Sequence, residues 1–242
     1  YNGGGNCVHW ISDIKLSPFD SDTALFNTGT GLFMITGLAS GDVLVKPFCE
    51  GIEETVHLNV YTTPHGRNRI IDIIGDLGGF AFEDYDSECE NSFANENGDR
   101  YITCLNADLT LSDPEYIVAT PRGNWTGKTK GGLILSKDCG STWERLPMPR
   151  GLSEFIDQKL DNIEKPNVDS GWTAISADGK RIMWAVAGGR GFSNKAVCYT
   201  DDEGKTWQKS IFTDSNGNSA DEHNVKIFSD YYNSDLFFAI AE

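Results

Sequence analysis

Positive charge is scarce in this sequence: 20 Lys and Arg stand against 36 Asp and Glu, a formal net charge of −16. Such a surface repels phosphate backbones and anionic lipid headgroups, so neither nucleic acid nor a membrane surface is expected as a partner. Long apolar runs are missing too; none approaches the roughly 20 residues of a membrane-spanning helix. There are four histidines, none at metal-finger spacing from a cysteine, and C-x-x-C pairs are absent. Neither a metal nor a cofactor is therefore expected. A G-x-S-x-G nucleophile elbow is absent, which removes that route to serine hydrolysis. Helical spacing is confined to residues 152–163, through Phe155, Ile156 and Leu160.

Six cysteines (Cys7, Cys49, Cys89, Cys104, Cys139 and Cys198) are too few for a disulfide-dense scaffold. Their even number in an acidic chain leads to an expectation of up to three disulfides in a secreted, extracellular protein. The single sequon Asn124-Trp125-Thr126 makes Asn124 a candidate glycosylation site. The chain opens on Tyr1-Asn2-Gly3-Gly4-Gly5, without an initiator Met or signal peptide, the expectation for a processed or truncated product.

What is present is repetition. Ile14-Lys15-Leu16-Ser17-Pro18-Phe19-Asp20 and its continuation to Phe26 match Val225-Lys226-Ile227-Phe228-Ser229-Asp230-Tyr231 and its continuation to Phe237, without a gap. Each reads as strand, polar turn, strand. Looser copies fall at residues 56–73, 107–119 and 172–185. Five such starts, spaced by roughly 40 to 65 residues, predict an antiparallel protein built blade by blade.

A second repeat is sharper. Ser136-Lys137-Asp138-Cys139-Gly140-Ser141-Thr142-Trp143 and Thr200-Asp201-Asp202-Glu203-Gly204-Lys205-Thr206-Trp207 share the pattern [ST]-x-D-x-G-x-T-W. Asp and Gly suit a tight turn, Thr and Asp can bond each other and nearby N–H groups, and Trp packs beneath the hairpin. These eight-residue turns resemble the Asp boxes of β-propellers. Residues 30–38 stand where another, degenerate box is expected.

The expected fold is all-β: one β-propeller portion over 1–242, of four to five blades, incomplete without further chain. Either a second chain supplies the remaining blades or the portion closes by dimerising. A degenerate blade within residues 91–104 or 155–172 is a third possibility.

From Trp10 to Asp86 the sequence resembles glycoside hydrolase family 74, the xyloglucanases and related endo-β-1,4-glucanases. The resemblance rests on Ser17-Pro18-Phe19-Asp20, Gly51-Ile52-Glu53-Glu54-Thr55 and Gly75-Asp76-Leu77-Gly78-Gly79-Phe80, and Asn106-Ala107-Asp108 and both boxes continue the order. It implies part of a seven-bladed propeller from a two-propeller enzyme that cleaves internal β-1,4 bonds of xyloglucan or a related β-glucan with inversion. Asp76 would then be the catalytic proton donor. Its partner aspartate, from a Thr-Asp-Ile-Gly-Gly-like string, has no match here and would lie outside this chain. A non-catalytic polysaccharide-binding or scaffold propeller derived from such an enzyme is the alternative.

Read from the residues alone, Asp76 follows an apolar strand and precedes two glycines, a place for an exposed carboxylate; a purely turn-forming role stays open. Asp84 or Asp86 could raise its pKa, and Asp84 and Tyr85 could orient sugar hydroxyls. Gly78 and Gly79 would allow close approach of a ligand. Phe80, Trp10, Tyr85, Trp125 and Trp184 are candidates for stacking on pyranose rings, although Trp184 sits mid-strand and fits the core as well. Trp143 and Trp207 are read as core.

Overall fold

The computed structural model describes residues 10–29, 31–51, 55–89, 91–124, 129–151, 171–186, 197–218 and 225–241. The stretch with helical spacing, residues 152–163, lies outside them, as do Trp125 and Cys7. Every regular element described is a β-strand.

The chain divides into two units, residues 1–55 and 56–242. The first holds one four-stranded antiparallel meander: β1 (Asp13–Leu16), β2 (Ala24–Thr28), β3 (Gly31–Thr36) and β4 (Leu44–Pro47). Alternation along β2 turns Ala24, Phe26 and Thr28 inward, and Phe26 stacks on Phe33 of β3 with centroids 5.4 Å apart. Residues 31–36, expected to belong to a degenerate box, are strand β3 instead. The turn that follows is held from elsewhere: Gly37 and Ala39 donate their N–H groups to Asp22 of the β1–β2 turn, at 3.1 and 2.6 Å.

The second unit repeats the meander three times and then begins it again. Its sheets are β5 (Val56–Thr62), β6 (Ile70–Gly75), β7 (Gly78–Phe82) and β8 (Asn91–Ser92); β9 (Cys104–Leu109), β10 (Ile117–Pro121), β11 (Ile134–Ser136) and β12 (Glu144–Arg145); β13 (Trp172–Ile175), β14 (Ile182–Ala185), β15 (Val197–Thr200) and β16 (Gln208–Lys209); and the pair β17 (Lys226–Ser229) and β18 (Phe237–Ile240). All five repeat starts coincide with the opening hairpin of a sheet: β1–β2, β5–β6, β9–β10, β13–β14 and β17–β18. Residues 91–104, where a hidden blade was considered, form β8, a bridge between Ala94 and Arg100, and the start of β9.

Consecutive sheets of this unit stack face to face, and each joint is a hydrophobic core. Ile71, Ile73, Ala81 and Phe93 meet Leu109, Ile117, Ala119 and Trp143. Val118, Leu133 and Leu135 meet Ile175, Ile182 and Trp184, and Ala174, Ala185 and Val197 meet Val225 and Ile227. Neighbours along β10 serve opposite joints, Ile117 and Ala119 one and Val118 the next. A sheet buried on both faces reads as a continuous apolar run, which is why Ile117-Val118-Ala119 lacks alternation.

First strands lie against one another in order, β5 with β9, β9 with β13 and β13 with β17. Polar groups bind the sheets at and beside these strands. Asn106 Oδ1 accepts the Thr173 N–H at 2.8 Å, and Thr120 Oγ1 donates to the Gly171 carbonyl at 2.9 Å. Asp108 accepts N–H groups of Leu109 and Ile175, each at 2.9 Å, and the Ser229 hydroxyl at 2.8 Å. Burial pushes its pKa up to about 6, against the pull of those three bonds.

The five described cysteines, Cys49, Cys89, Cys104, Cys139 and Cys198, are free thiols, so the expectation of up to three disulfides is not met among the described residues. They pack as small apolar groups: Cys104 and Cys198 are fully buried, and burial pushes the Cys104 thiol up to about 12.

Candidate functional site

Asp76 sits in the two-residue turn between β6 and β7. Ile71 and Ile73 anchor β6 in the core at 0% exposure, so the strand leaves the interior at Gly75 and the Asp76 carboxylate emerges into solvent. Its N–H donates to Thr103 Oγ1 at 3.0 Å, and Gly78 forms a parallel bridge to Thr103. The turn is thereby fixed to the segment leading into the next sheet. Asp76 has a left-handed φ of 63°. A Cβ on Gly78, at φ 80°, would come within 2.7 Å of the Tyr101 carbonyl oxygen, and one on Gly79 within 2.9 Å of the Phe93 ring. Both glycines are accounted for by the protein's own packing.

Phe80 is half-buried on β7 opposite Asp72 and Ser92, with the Arg100 guanidinium 6.0 Å from its ring centroid. Asp84 and Tyr85 follow the far end of β7. Four residue steps from Gly78 to Phe82 span about 13 Å, so these two occupy the end of the sheet opposite Asp76. The Phe82 carbonyl accepts from Arg69 N, and Glu83 pairs with Arg67 at 2.6 Å, anchoring that loop to the β5–β6 turn. Asp84 spends one oxygen on the Ser87 hydroxyl and the N–H groups of Asp86 and Ser87, and these bonds hold its pKa below the usual range. Neither Asp84 nor Asp86 is placed as the neighbouring carboxylate that was expected to tune Asp76.

Trp10 belongs to the first unit, is 78% exposed and covers Gly29 with its ring. Trp184 is wholly buried and Trp143 nearly so. Trp207 is half-buried, lies 5.9 Å from Trp184 and donates its N–H to the Pro147 carbonyl. Tyr85 is exposed. The Asn124 side-chain nitrogen, which would carry a glycan, is half-buried and donates to Thr129 Oγ1 at 3.0 Å.

The two box turns superimpose bond for bond. Asp138 accepts from the Ser136 hydroxyl at 2.8 Å, the Thr142 N–H at 2.8 Å and the Thr142 hydroxyl at 2.6 Å; Asp202 accepts from Thr200, Thr206 N and Thr206 Oγ1 at 2.8, 2.8 and 2.7 Å. Ser136 and Thr200 each accept the N–H of the box glycine, Gly140 or Gly204, at 2.8 Å. The first box also grips the preceding sheet, since buried Asn68 donates to the Cys139 carbonyl and to Ser141 Oγ. They lie in third-to-fourth-strand turns, whereas Asp76 lies in a second-to-third-strand turn, at the other end of a sheet.

Sequence reasoning missed one pair. His57 Nδ1 lies 2.7 Å from Oδ2 of buried Asp72, whose Oδ1 has no partner among the described residues. The signal was an acid inside the isoleucine run of β6. Among the described residues no three His, Cys, Asp or Glu side chains gather as a metal site.

Comparison with known proteins adds the following. No protein-family model matches the chain. A xyloglucanase from a Paenibacillus species is 26% identical over 237 residues, covering 96% of this chain and 20% of the relative. The xyloglucanase Xgh74A of Acetivibrio thermocellus is 25% identical, covering 95% and 25%, and an oligoxyloglucan reducing-end-specific xyloglucanase of Emericella nidulans is 27% identical over 184 residues, covering 74% and 21%. Among solved structures, the family 74 xyloglucanase of Xanthomonas campestris aligns at a TM-score of 0.59 and 20% identity, and the family 74 enzyme of Niastella koreensis at 0.58 and 18%, with 94% and 96% of this chain covered and 28% of each structure. The β-propeller fold and the resemblance to family 74 are therefore borne out over nearly the whole chain, which spans a fifth to a quarter of the length of these curated relatives.

Proposed function

Proceeding from a family 74-like propeller portion, we propose that this chain contributes to a glycoside hydrolase acting outside the cell on internal β-1,4-glucosidic bonds of xyloglucan or a related β-glucan, with inversion. The observation that carries the reading is the Gly75-Asp76-Leu77-Gly78-Gly79-Phe80 turn: it delivers a solvent-exposed carboxylate, fixed from behind by Thr103, in a chain similar to xyloglucanases. Asp76 acts as general acid toward the leaving glycosidic oxygen. A second carboxylate, roughly 6.5 to 9.5 Å away across the scissile bond, activates water on the opposite face. It comes from outside this chain, as do the blades that complete the propeller.

Alone, the chain has one of the two carboxylates that inversion needs, which favours binding without turnover. Reducing-end release from xyloglucan and from β-1,4-glucan is measured for the chain alone, and for the longer protein that carries the second carboxylate with and without Asp76→Asn. The expected result is no turnover by the chain alone and a loss of about 10²- to 10⁴-fold on substitution in the longer protein. Turnover that survives Asp76→Asn in the longer protein would overturn the assignment.

A further inference from the structure

The first strands β5, β9, β13 and β17 line a cavity of about 330 Å³, open to solvent on one side, to which Tyr61, Asn106, Asp108, Trp172, Phe228 and Tyr231 contribute. Asp76 is not among its lining residues. Three side chains face it with unspent hydrogen-bonding capacity. The indole N–H of Trp172 is buried and has no acceptor among the described residues. The Tyr61 oxygen is approached by three donors, Asn59 Nδ2 at 3.1 Å, Ala107 N at 3.3 Å and Asn106 Nδ2 at 3.4 Å. With its lone pairs so engaged, its own proton has to find an acceptor elsewhere. Asp108 Oδ1 accepts one bond, from Leu109 N, and has room for another.

An orphaned buried donor calls for an explanation, and a cavity alongside it supplies the space for one. An anion is disfavoured by the Asp108 carboxylate and by a net charge of −16, against a nearby cation at the cavity's aromatic wall, Lys226 Nζ, 5.4 Å from the Trp172 ring centroid. A cation would meet the positive ends of the Trp172 and Tyr61 dipoles. A neutral molecule with several hydroxyls meets every demand: hydroxyl oxygens accept from Trp172 and Tyr61, a hydroxyl proton goes to Asp108, and ring C–H groups lie against the aromatic side chains. The volume falls at the lower end of the range for small-molecule sites, about 300 to 1,000 Å³, which suits one sugar ring rather than a chain.

We propose that the cavity between the first strands is a binding site for a single neutral pyranose, separate from Asp76. The proposal does not depend on the hydrolase reading.

The test follows the indole ¹H–¹⁵N resonance of Trp172 in the 242-residue chain, assigned by its disappearance in Trp172→Phe, during titration with D-glucose and with D-xylose. The expected result is a saturable shift with a dissociation constant in the millimolar range. Tyr61→Phe weakens binding by about 5-fold, as loss of one hydrogen bond does, and Asp76→Asn leaves the titration unchanged. Either of two results overturns the proposal: a Trp172 resonance that neither sugar moves, which assigns the cavity to ordered water alone, or a shift abolished by Asp76→Asn, which assigns the sugar to the cleft. Should Tyr61→Phe fail to fold, the titration of the unsubstituted chain decides by itself.

Discussion

The Ser229 hydroxyl donates to Oδ2 of Asp108 at 2.8 Å across 121 residues of sequence. The same oxygen takes the Ile175 N–H, so one carboxylate joins β9, β13 and β17 where these first strands meet. The stacked sheets could have been joined by apolar contact alone. An ionised acid here costs stability, which the shift of its pKa to about 6 expresses.

That cost has a pH signature. Asp108 binds its proton more tightly in the folded protein than at the unfolded value of 3.8, so its contribution favours folding at low pH and fades as pH rises toward about 6, by up to about 3 kcal/mol. Asp178, held near 2 by bonds from Lys180 and Ser176, acts oppositely: its contribution is lost as pH falls below 3.8. Urea unfolding from pH 3 to 8 is expected to place maximum stability near pH 4 to 5. Asp108→Asn removes the decline between pH 4 and 6 whatever it does to absolute stability; a decline that persists would show that another group causes it.

The turn at Asp76 stores strain. Relief by Asp76→Gly is expected to stabilise the chain by about 1 kcal/mol, since glycine accepts a φ of 63° without a steric penalty. Gly78→Ala should destabilise by about 2 kcal/mol or more, because the new methyl group meets the Tyr101 carbonyl. Paired urea titrations read both signs, and a less stable Asp76→Gly variant would remove strain from the account.

Asp138→Ala should cost about 1 kcal/mol, moderated by solvent access, through loss of the bonds from Thr142 and Ser136. The more exposed Asp202 should cost less on the same substitution. A double-mutant cycle of Asp138 with Thr142 checks that the loss is shared between them; full additivity would mean that the bonds inside the turn carry none of it.

Free thiols predict indifference to reductant. Alkylation of the unfolded, unreduced chain should label all five described cysteines, and addition of reductant should leave the unfolding midpoint in place. In the folded chain Cys104 and Cys198 should react last, since both are buried. Incomplete labelling before reduction would restore the disulfide expectation.

Much of the fold was written locally. Ile14 to Phe26 and its four copies announced themselves because strand alternation and turn residues are properties of short segments, and the [ST]-x-D-x-G-x-T-W turns because the carboxylate bonds of Asp138 and Asp202 close within eight residues. Asp76 was legible as an exposed turn carboxylate for the same reason. Its relation to Asp84 was not: the sequence sets them eight residues apart, and an extended strand then carries them to opposite ends of a sheet.

The sequence by itself therefore determined the hairpins, the two boxes and the position of Asp76, each decided by backbone preferences and neighbours a few residues away. Tertiary structure alone decided that Asp108 would meet Ser229, that Asp72 would pair with His57, that the described cysteines would remain unpaired, and that Tyr61 and Trp172 would face one cavity. Those outcomes depend on which sheet faces stack and on which first strands come together. A strand's alternation specifies that it has two faces, but the partner that each face meets is fixed only when the hydrophobic joints between sheets close.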